Sequence, residues 1–147
     1  MVVEKNELLR ELGELGTVAG FAKARVRIEF ADGDSGSVGE SVSRVVIARS
    51  RFPRPVLQQV FRDEVGRMFV DFWWPDYNLA GEFDGKGKYL RDEYTQGRST
   101  AQIVLEEKAR EDRLRRLGPS VVRWDWAEAR SQSALRRILL RAGLTHR

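Results

Sequence analysis

The chain has 147 residues, the size of one globular domain and enough to bury a hydrophobic core. Its 26 basic and 22 acidic side chains give a net charge of +4, which permits nucleic-acid binding without establishing it. The absence of cysteine and the single histidine, His146, argue against thiol nucleophiles, zinc knuckles and Ser-His-Asp triads. The N-terminus does not resemble a signal peptide and no apolar run could span a membrane, so we expect a cytoplasmic protein.

The N-terminal part of the chain predicts helices. Residues 4–15 place leucines on one stripe of a helix, and residues 17–30 predict a second helix. The Gly- and Asp-rich residues 31–36 predict a linker. Ser37 and Glu40 fit a capping box that opens a third helix.

The remaining elements alternate between strands and helices. In chain order we expect strands at 56–62, 67–73 and 79–84, a polar loop at 85–98, a helix from Ser99 to about 117, a strand at 120–126 and a helix at 127–142. The sequence therefore predicts an α/β fold: a helix, a three-strand antiparallel meander, a helix and a strand, with extra helices at both ends. We divide it into an N-terminal helical extension (1–36), a core (37–126) and a C-terminal helix (127–147).

Three acidic residues occupy strand positions that a sheet would partly bury. Asp71 lies on the second predicted strand, and Glu82 and Asp84 share one face of the third. If the two strands pair as a hairpin, these carboxylates meet near one end. Such a cluster is typical of a site for Mg²⁺ or Mn²⁺. The alternative is that each acid faces solvent or pairs with a basic residue.

These residues belong to an ordered set of short motifs. The set is Glu40 on a helix, Asp71-Phe72, Glu82-Phe83-Asp84-Gly85, a charged helix with Lys108, Arg110, Asp112 and Arg113, and Val121-Val122-Arg123-Trp124. It resembles the PD-(D/E)xK, or restriction-endonuclease-like, superfamily, and more narrowly bacterial proteins related to the very-short-patch repair endonuclease. The resemblance covers about residues 37–126 and implies a restriction-endonuclease-like core.

The resemblance also implies roles for the acids. Asp71 and Glu82 would bind the metal ion, with Asp84 as a further ligand or a water-mediated one. Glu40 would complete the site from the helix. Its alternative role is the helix cap alone.

The chain departs from the superfamily motif at the catalytic lysine, where it carries Asp84. Lys86 or Lys88, just beyond, or Lys108 on the next helix would then supply the ammonium group that orients water or stabilises charge on the phosphate. For Lys108 the alternative is a solvated helix face. Members of this superfamily can lose activity and keep the fold.

Arginines and tryptophans provide the candidate nucleic-acid contacts. We expect Arg44, Arg54 and Arg113 to contact DNA phosphates, with a solvated helix face as the alternative for Arg113. Trp124 and Trp126 are two apart on the predicted last strand, so we expect them to share a face and pack under a helix.

Two functions follow from the sequence. The first is a metal-dependent DNA endonuclease acting in repair or defence. The second is a catalytically degenerate module of the same fold that binds nucleic acid or protein in toxin–antitoxin or abortive-infection systems. DNA is the expected partner, and a homodimer or an associated regulatory domain are further expectations.

Overall fold

The structure is a computed structural model that describes residues 3–16, 18–85 and 99–146. It divides into two compact units, Met1–Gly33 and Asp34–Arg147. The C-terminal segment that the sequence set apart as 127–147 belongs to the second unit. No helix in these ranges has both the length and the apolar character needed to cross a membrane.

The first unit consists of two helices, α1 (Lys5–Glu14) and α2 (Phe21–Phe30). Leu12 of α1 is buried, as expected for a residue on the leucine stripe. The second helix starts later than predicted because Gly20 precedes it with a φ of 89°, a left-handed value that glycine adopts without steric cost.

Within the described residues, the second unit contains four helices, a 3-10 turn and four strands. The helices are α3 (Val38–Arg49), α4 (Thr100–Arg116), α5 (Trp126–Ala129) and α6 (Gln132–Arg141). The strands are β1 (Val56–Arg62), β2 (Arg67–Trp74), β3 (Leu79–Phe83) and β4 (Ser120–Trp124), and the 3-10 turn is Pro75–Tyr77. The predicted α/β class is confirmed.

The four strands form one mixed sheet in the order β1-β2-β3-β4. β1 and β2 pair antiparallel, β2 and β3 pair antiparallel, and β3 and β4 pair parallel. The β2–β3 pairing ends with Phe72 opposite Gly81, and Asp71 and Glu82 are the next residues beyond that end on the two strands. The parallel connection leaves from the end of β3 and returns through α4, the usual way of joining parallel strands.

The main core lies between the sheet and the helices α3, α5 and α6. Its buried members are Ile47, Phe52, Phe72, Trp74, Leu79, Trp124, Ala129, Leu135, Leu139 and Leu144. Both buried indoles donate hydrogen bonds: Trp74 Nε1 to the Pro53 carbonyl and Trp124 Nε1 to Ser43 Oγ, each at 2.8 Å. A smaller cluster joins Leu114 of α4 to Met68, Val70 and Ala80.

The predicted C-terminal elements differ from the observed ones. β4 ends at Trp124, and Trp126 begins α5, so the two tryptophans do not share a strand face as predicted. Trp126 packs edge-on against Phe83, with ring centroids 4.9 Å apart. The single predicted helix is two helices because Ser131 caps a second one by accepting the Ala134 N–H.

Gly81 should be intolerant of any side chain. A Cβ there would lie 2.7 Å from Trp124 and 3.0 Å from Trp74, two rigid core indoles. We expect Gly81→Ala to lower the free energy of unfolding by about 1–2 kcal/mol through overpacking. Chemical denaturation measures this. Gly13→Ala is the matched control, because no atom lies within 4 Å of its Cβ position in α1; an equal effect in both variants would contradict the packing argument.

Candidate functional site

A cavity of about 210 Å³ lies beside the C-terminal end of β3. Its walls come from α3, β2, β3, β4 and α4. The lining residues are Glu40, Phe69, Asp71, Glu82, Phe83, Asp84, Gly85, Glu107, Arg110 and Arg123. The four predicted site acids, Glu40, Asp71, Glu82 and Asp84, therefore share one cavity.

Asp71 is a partly buried carboxylate held by two donors. Its Oδ2 accepts the Phe83 backbone N–H at 2.8 Å, and its Oδ1 accepts the Gln58 amide at 3.3 Å. Burial, together with the negative charges of Glu40 and Glu82, raises the pKa of Asp71 from 3.8 to about 6, although the hydrogen bonds oppose this rise. The two hydrogen bonds therefore do not offset the cost of burying the Asp71 charge beside other acids.

Gln58 links Asp71 to Glu40. Its amide nitrogen lies 3.0 Å from Glu40 Oε2, in addition to its bond to Asp71. Gln58 has a φ of 49° within β1, a left-handed conformation that costs a non-glycine residue energy. Backbone strain at this strand position therefore accompanies a side chain that joins two of the cavity's acids.

Glu40 is 6% exposed, and its carboxylate bonds a different backbone N–H from the one that the predicted capping box would use. Ser37 Oγ accepts the Glu40 N–H at 3.2 Å, which confirms the N-cap. The Glu40 carboxylate, however, accepts the Gly36 N–H at 2.7 Å and the Gln58 amide. Glu40 therefore supports the start of α3 and lines the cavity at the same time.

The contact between α3 and β3 depends on Gly39. A Cβ at this position would lie 2.0 Å from the Phe83 ring, so only glycine lets α3 approach this closely. The neighbouring Glu40 is thereby placed beside β3, and the backbone of Phe83 is the donor to Asp71. The helix and the strand position the acids jointly.

Glu82 is 7% exposed and bound by two arginines. Arg110 Nη2 lies 2.7 Å from both of its carboxylate oxygens, and Arg123 Nη2 lies 2.7 Å from Oε2. The alternative that an acid in this sequence pairs with basic residues therefore holds for Glu82. Burial alone would lower the pKa of Arg110, but Glu107 and Glu82 raise it, so the guanidinium stays charged.

Glu107 is a second carboxylate between the same arginines. It contacts Arg110 Nη2 at 2.8 Å and also contacts Arg123 Nη2. Burial alone would raise the pKa of Glu107, but the hydrogen bonds from Arg110 and Arg123 lower it below its usual value. Glu111 also pairs with Arg123, so three glutamates share the two arginines, and both arginine side chains are 28% exposed.

Of the three lysines predicted to supply a catalytic ammonium, the structure describes Lys108. Lys86 and Lys88 lie outside the described residues. Lys108 is exposed on α4 and is not among the lining residues, which agrees with its alternative role on a solvated helix face. The helix turns Arg110 toward the cavity instead.

The predicted DNA-contacting arginines have separate environments. Arg44 is 8% exposed, which leaves too little of its side chain accessible for the predicted phosphate contact. Arg113 binds Asp63 in the β1–β2 turn through Nε at 2.7 Å, so it ties α4 to the hairpin. Arg113 holds the pKa of Asp63 well below its usual range. Arg54 is exposed, as a phosphate contact requires.

The acids are close without forming a ready metal cage. In the part of the chain that the structure describes, no three His, Cys, Asp or Glu side chains are grouped so as to hold a metal ion. Glu82 instead points its two oxygens at Arg110.

Sequence reasoning gave no role to Gln58, Glu107, Arg110 or Arg123, which line the cavity or bond its acids. Glu107, Arg110 and Leu114 follow helical spacing, so the buried Leu114 could have shown which face of α4 meets the sheet. Arg110 and Arg123 both belong to the ordered set of motifs, but the sequence assigned neither of them a role. No sequence pattern signals the left-handed Gln58.

Comparisons with known proteins give distant relatives. Two uncharacterized proteins, one from each of two strains of Mycobacterium tuberculosis, are 37% identical to the chain over 95 residues. That match covers 60% of this chain and 34% of each relative, so the chain spans about a third of the length of the curated relatives it matches. No protein-family profile matches the chain, and no solved structure matches it significantly.

Proposed function

We propose that this chain is a metal-dependent nuclease that hydrolyses phosphodiester bonds in DNA. We further propose that its helix, three-strand meander, helix and parallel strand form a restriction-endonuclease-like core. One observation carries the proposal: Asp71 and Glu82 from adjacent antiparallel strands, with Glu40 from α3, line a single open cavity.

The chemistry of the donors suits Mg²⁺ or Mn²⁺, which prefer carboxylate oxygens, although the four acids would have to move closer together to surround a cation. Asp71 and Glu82 would hold the cation, with Asp84 and Glu40 nearby on the cavity wall. The raised pKa of Asp71 supports this fit, because a carboxylate crowded by other acids gains from a cation. Such a cation supplies polarisation of a phosphodiester oxygen and a lower pKa for the attacking water.

The chain's own residues would prepare the site. The Phe83 N–H orients one oxygen of Asp71, and the Gln58 amide orients the other toward the Glu40 side of the cavity. Arg110 and Arg123 bring two positive charges to the cavity wall. Guanidinium groups bind phosphate oxygens in a fork, so these charges suit a phosphodiester substrate.

A second candidate function is a non-catalytic binding module of the same fold. The observation that favours it is Glu82, whose charge Arg110 and Arg123 already balance. Asp84 at the usual lysine position favours it as well. Such a module would bind nucleic acid or a protein partner without cutting.

DNA cleavage tests the proposal. We expect the full chain with Mg²⁺ or Mn²⁺ to cut at least one of linear, nicked, branched or single-stranded DNA. Asp71→Asn should reduce the cleavage rate by about a hundredfold or more, because it removes a charged oxygen ligand. Asp76→Asn, an exposed acid in the 3-10 turn, is the matched control and should leave the rate unchanged.

The outcomes separate the two candidates. Metal-dependent cleavage that Asp71→Asn abolishes supports the nuclease. Cleavage that persists undiminished in Asp71→Asn comes from a contaminant or another site and overturns it. Salt-sensitive DNA binding without cleavage of any substrate would favour the binding module.

A further inference from the structure

Arg110 lies where a cation on Glu82 would have to be. Its Nη2 atom is 2.7 Å from both Glu82 oxygens, which leaves neither oxygen directed only at the cavity. A divalent cation and a guanidinium repel each other strongly at such short range in a partly buried site. Both therefore cannot keep the same two oxygens.

We propose that Arg110 is an exchangeable counter-ion: it competes with a divalent cation for Glu82 and, once displaced, binds the phosphate of the DNA substrate. The inference rests on the proposed nuclease function and adds the residue that replaces the missing lysine. Positive charge at the phosphate would come from α4 instead of from the position just after β3, where Asp84 stands.

The contacts favour Arg110 over Arg123 as the group that moves. Arg110 Nη2 covers both oxygens of Glu82, whereas Arg123 Nη2 lies 2.7 Å from Oε2 alone. A cation that binds Glu82 through both oxygens must therefore displace Arg110. Arg123 also contacts Glu107, a partner that it keeps when Arg110 leaves Glu82.

Glu107 would keep the displaced guanidinium at the cavity wall. Its Oε2 accepts Arg110 Nε at 3.0 Å, independently of the Nη2 atom that binds Glu82. Nη2 also donates to Glu107 Oε1 at 2.8 Å, so loss of the Glu82 contacts frees one N–H of Nη2 while the other N–H and Nε stay bound to Glu107. The freed N–H would lie beside the proposed cation site, where a phosphate oxygen can accept it, and Arg110 already lines the cavity.

Titration of the full chain with Mn²⁺ alone tests the competition without any need for cleavage. We expect Arg110→Met to bind Mn²⁺ about tenfold or more tightly than the wild type, because the competing charge is gone. Arg110→Lys keeps the charge with fewer contacts and should fall between the two, so it gives the same test if the methionine variant does not fold. The exposed Arg116 of the same helix provides the control, Arg116→Met, with unchanged affinity.

Each result decides part of the inference. Mn²⁺ binding that is unchanged or weaker in both Arg110 variants overturns the proposed competition. The competition is also overturned if none of the proteins binds Mn²⁺. Tighter Mn²⁺ binding together with a lower kcat in Arg110→Met supports the phosphate role, since a merely structural residue would not improve one and impair the other. Tighter binding with an unchanged kcat overturns that role. Failure of the wild type to cut any DNA, with tighter Mn²⁺ binding in Arg110→Met, would reject the nuclease and keep the competition.

Discussion

Glu82→Gln should destabilise the fold by about 2–3 kcal/mol at neutral pH. The substitution removes the charge that Arg110 and Arg123 share, and it leaves two partly buried guanidinium groups with Glu107 as their common partner. Breaking a buried ion pair from one side costs about 3–5 kcal/mol, and the 28% exposure of both arginines reduces that figure. Urea denaturation followed by tryptophan fluorescence measures the change.

A matched variant and a double variant test the cause of this loss. Glu64→Gln makes the same change in the exposed β1–β2 turn and should shift stability by less than about 0.5 kcal/mol. Adding Arg110→Met to Glu82→Gln removes one of the stranded charges, so the pair should show a coupling energy of about 1 kcal/mol or more. Additive effects of the two substitutions would mean that Arg110 and Glu82 do not interact in the folded protein.

Asp71→Asn should stabilise the fold, with a gain that depends on pH. The pKa of Asp71 is about 6 in the folded protein against an ordinary 3.8, so the folded state binds the proton more tightly. The contribution of Asp71 to the free energy of unfolding of the wild type is therefore fully present below about pH 4. It is lost as the pH rises through about 6. Asparagine does not titrate and keeps an oxygen acceptor for the Phe83 N–H. The expected gain at about pH 7.5 is up to about 3 kcal/mol.

Denaturation of both proteins at about pH 4 and about pH 7.5 measures this difference. The gain should be near zero at the lower pH. Because Asp63 is present in both proteins, its own acid titration cancels in the comparison. An Asp71→Asn protein that is less stable than the wild type at about pH 7.5 would show that the charged carboxylate of Asp71 does not destabilise the fold. A stability gain coupled with lost metal binding would mark Asp71 as a functional residue that the fold accommodates at a cost.

Much of the fold could be predicted because the capping residues and the alternation of apolar residues agree with the helices and strands of the folded chain. Ser37 and Ser99 both cap the helices that their spacing predicts. The alternation of residues around Asp71 and Glu82 predicted the antiparallel meander, and the observed register brings both acids to the same end of the β2–β3 pairing. Asp125 caps a helix, as its position predicts, but the predicted bounds failed at the C-terminus, where β4 ends at Trp124 and Ser131 starts a second helix after α5.

The sequence predicted the acidic residues of the site but not its arginines. Acids in strand positions stand out in a sequence because a sheet buries them, whereas arginines in a charged helix do not. The choice between Lys108 and Arg110 depends on the rotation of α4, which Leu114 sets through its contacts with the sheet. Gln58 could not be found at all, because its role depends on a left-handed backbone that only tertiary structure imposes.

Anomalous diffraction from a crystal soaked in Mn²⁺ tests the central claim most directly. We expect a Mn²⁺ peak in the cavity between the carboxylates of Asp71 and Glu82, with Arg110 turned away from Glu82. A cavity without a peak, with Arg110 still bound to both oxygens of Glu82, would contradict the claim that this acid cluster is a metal-dependent nuclease site.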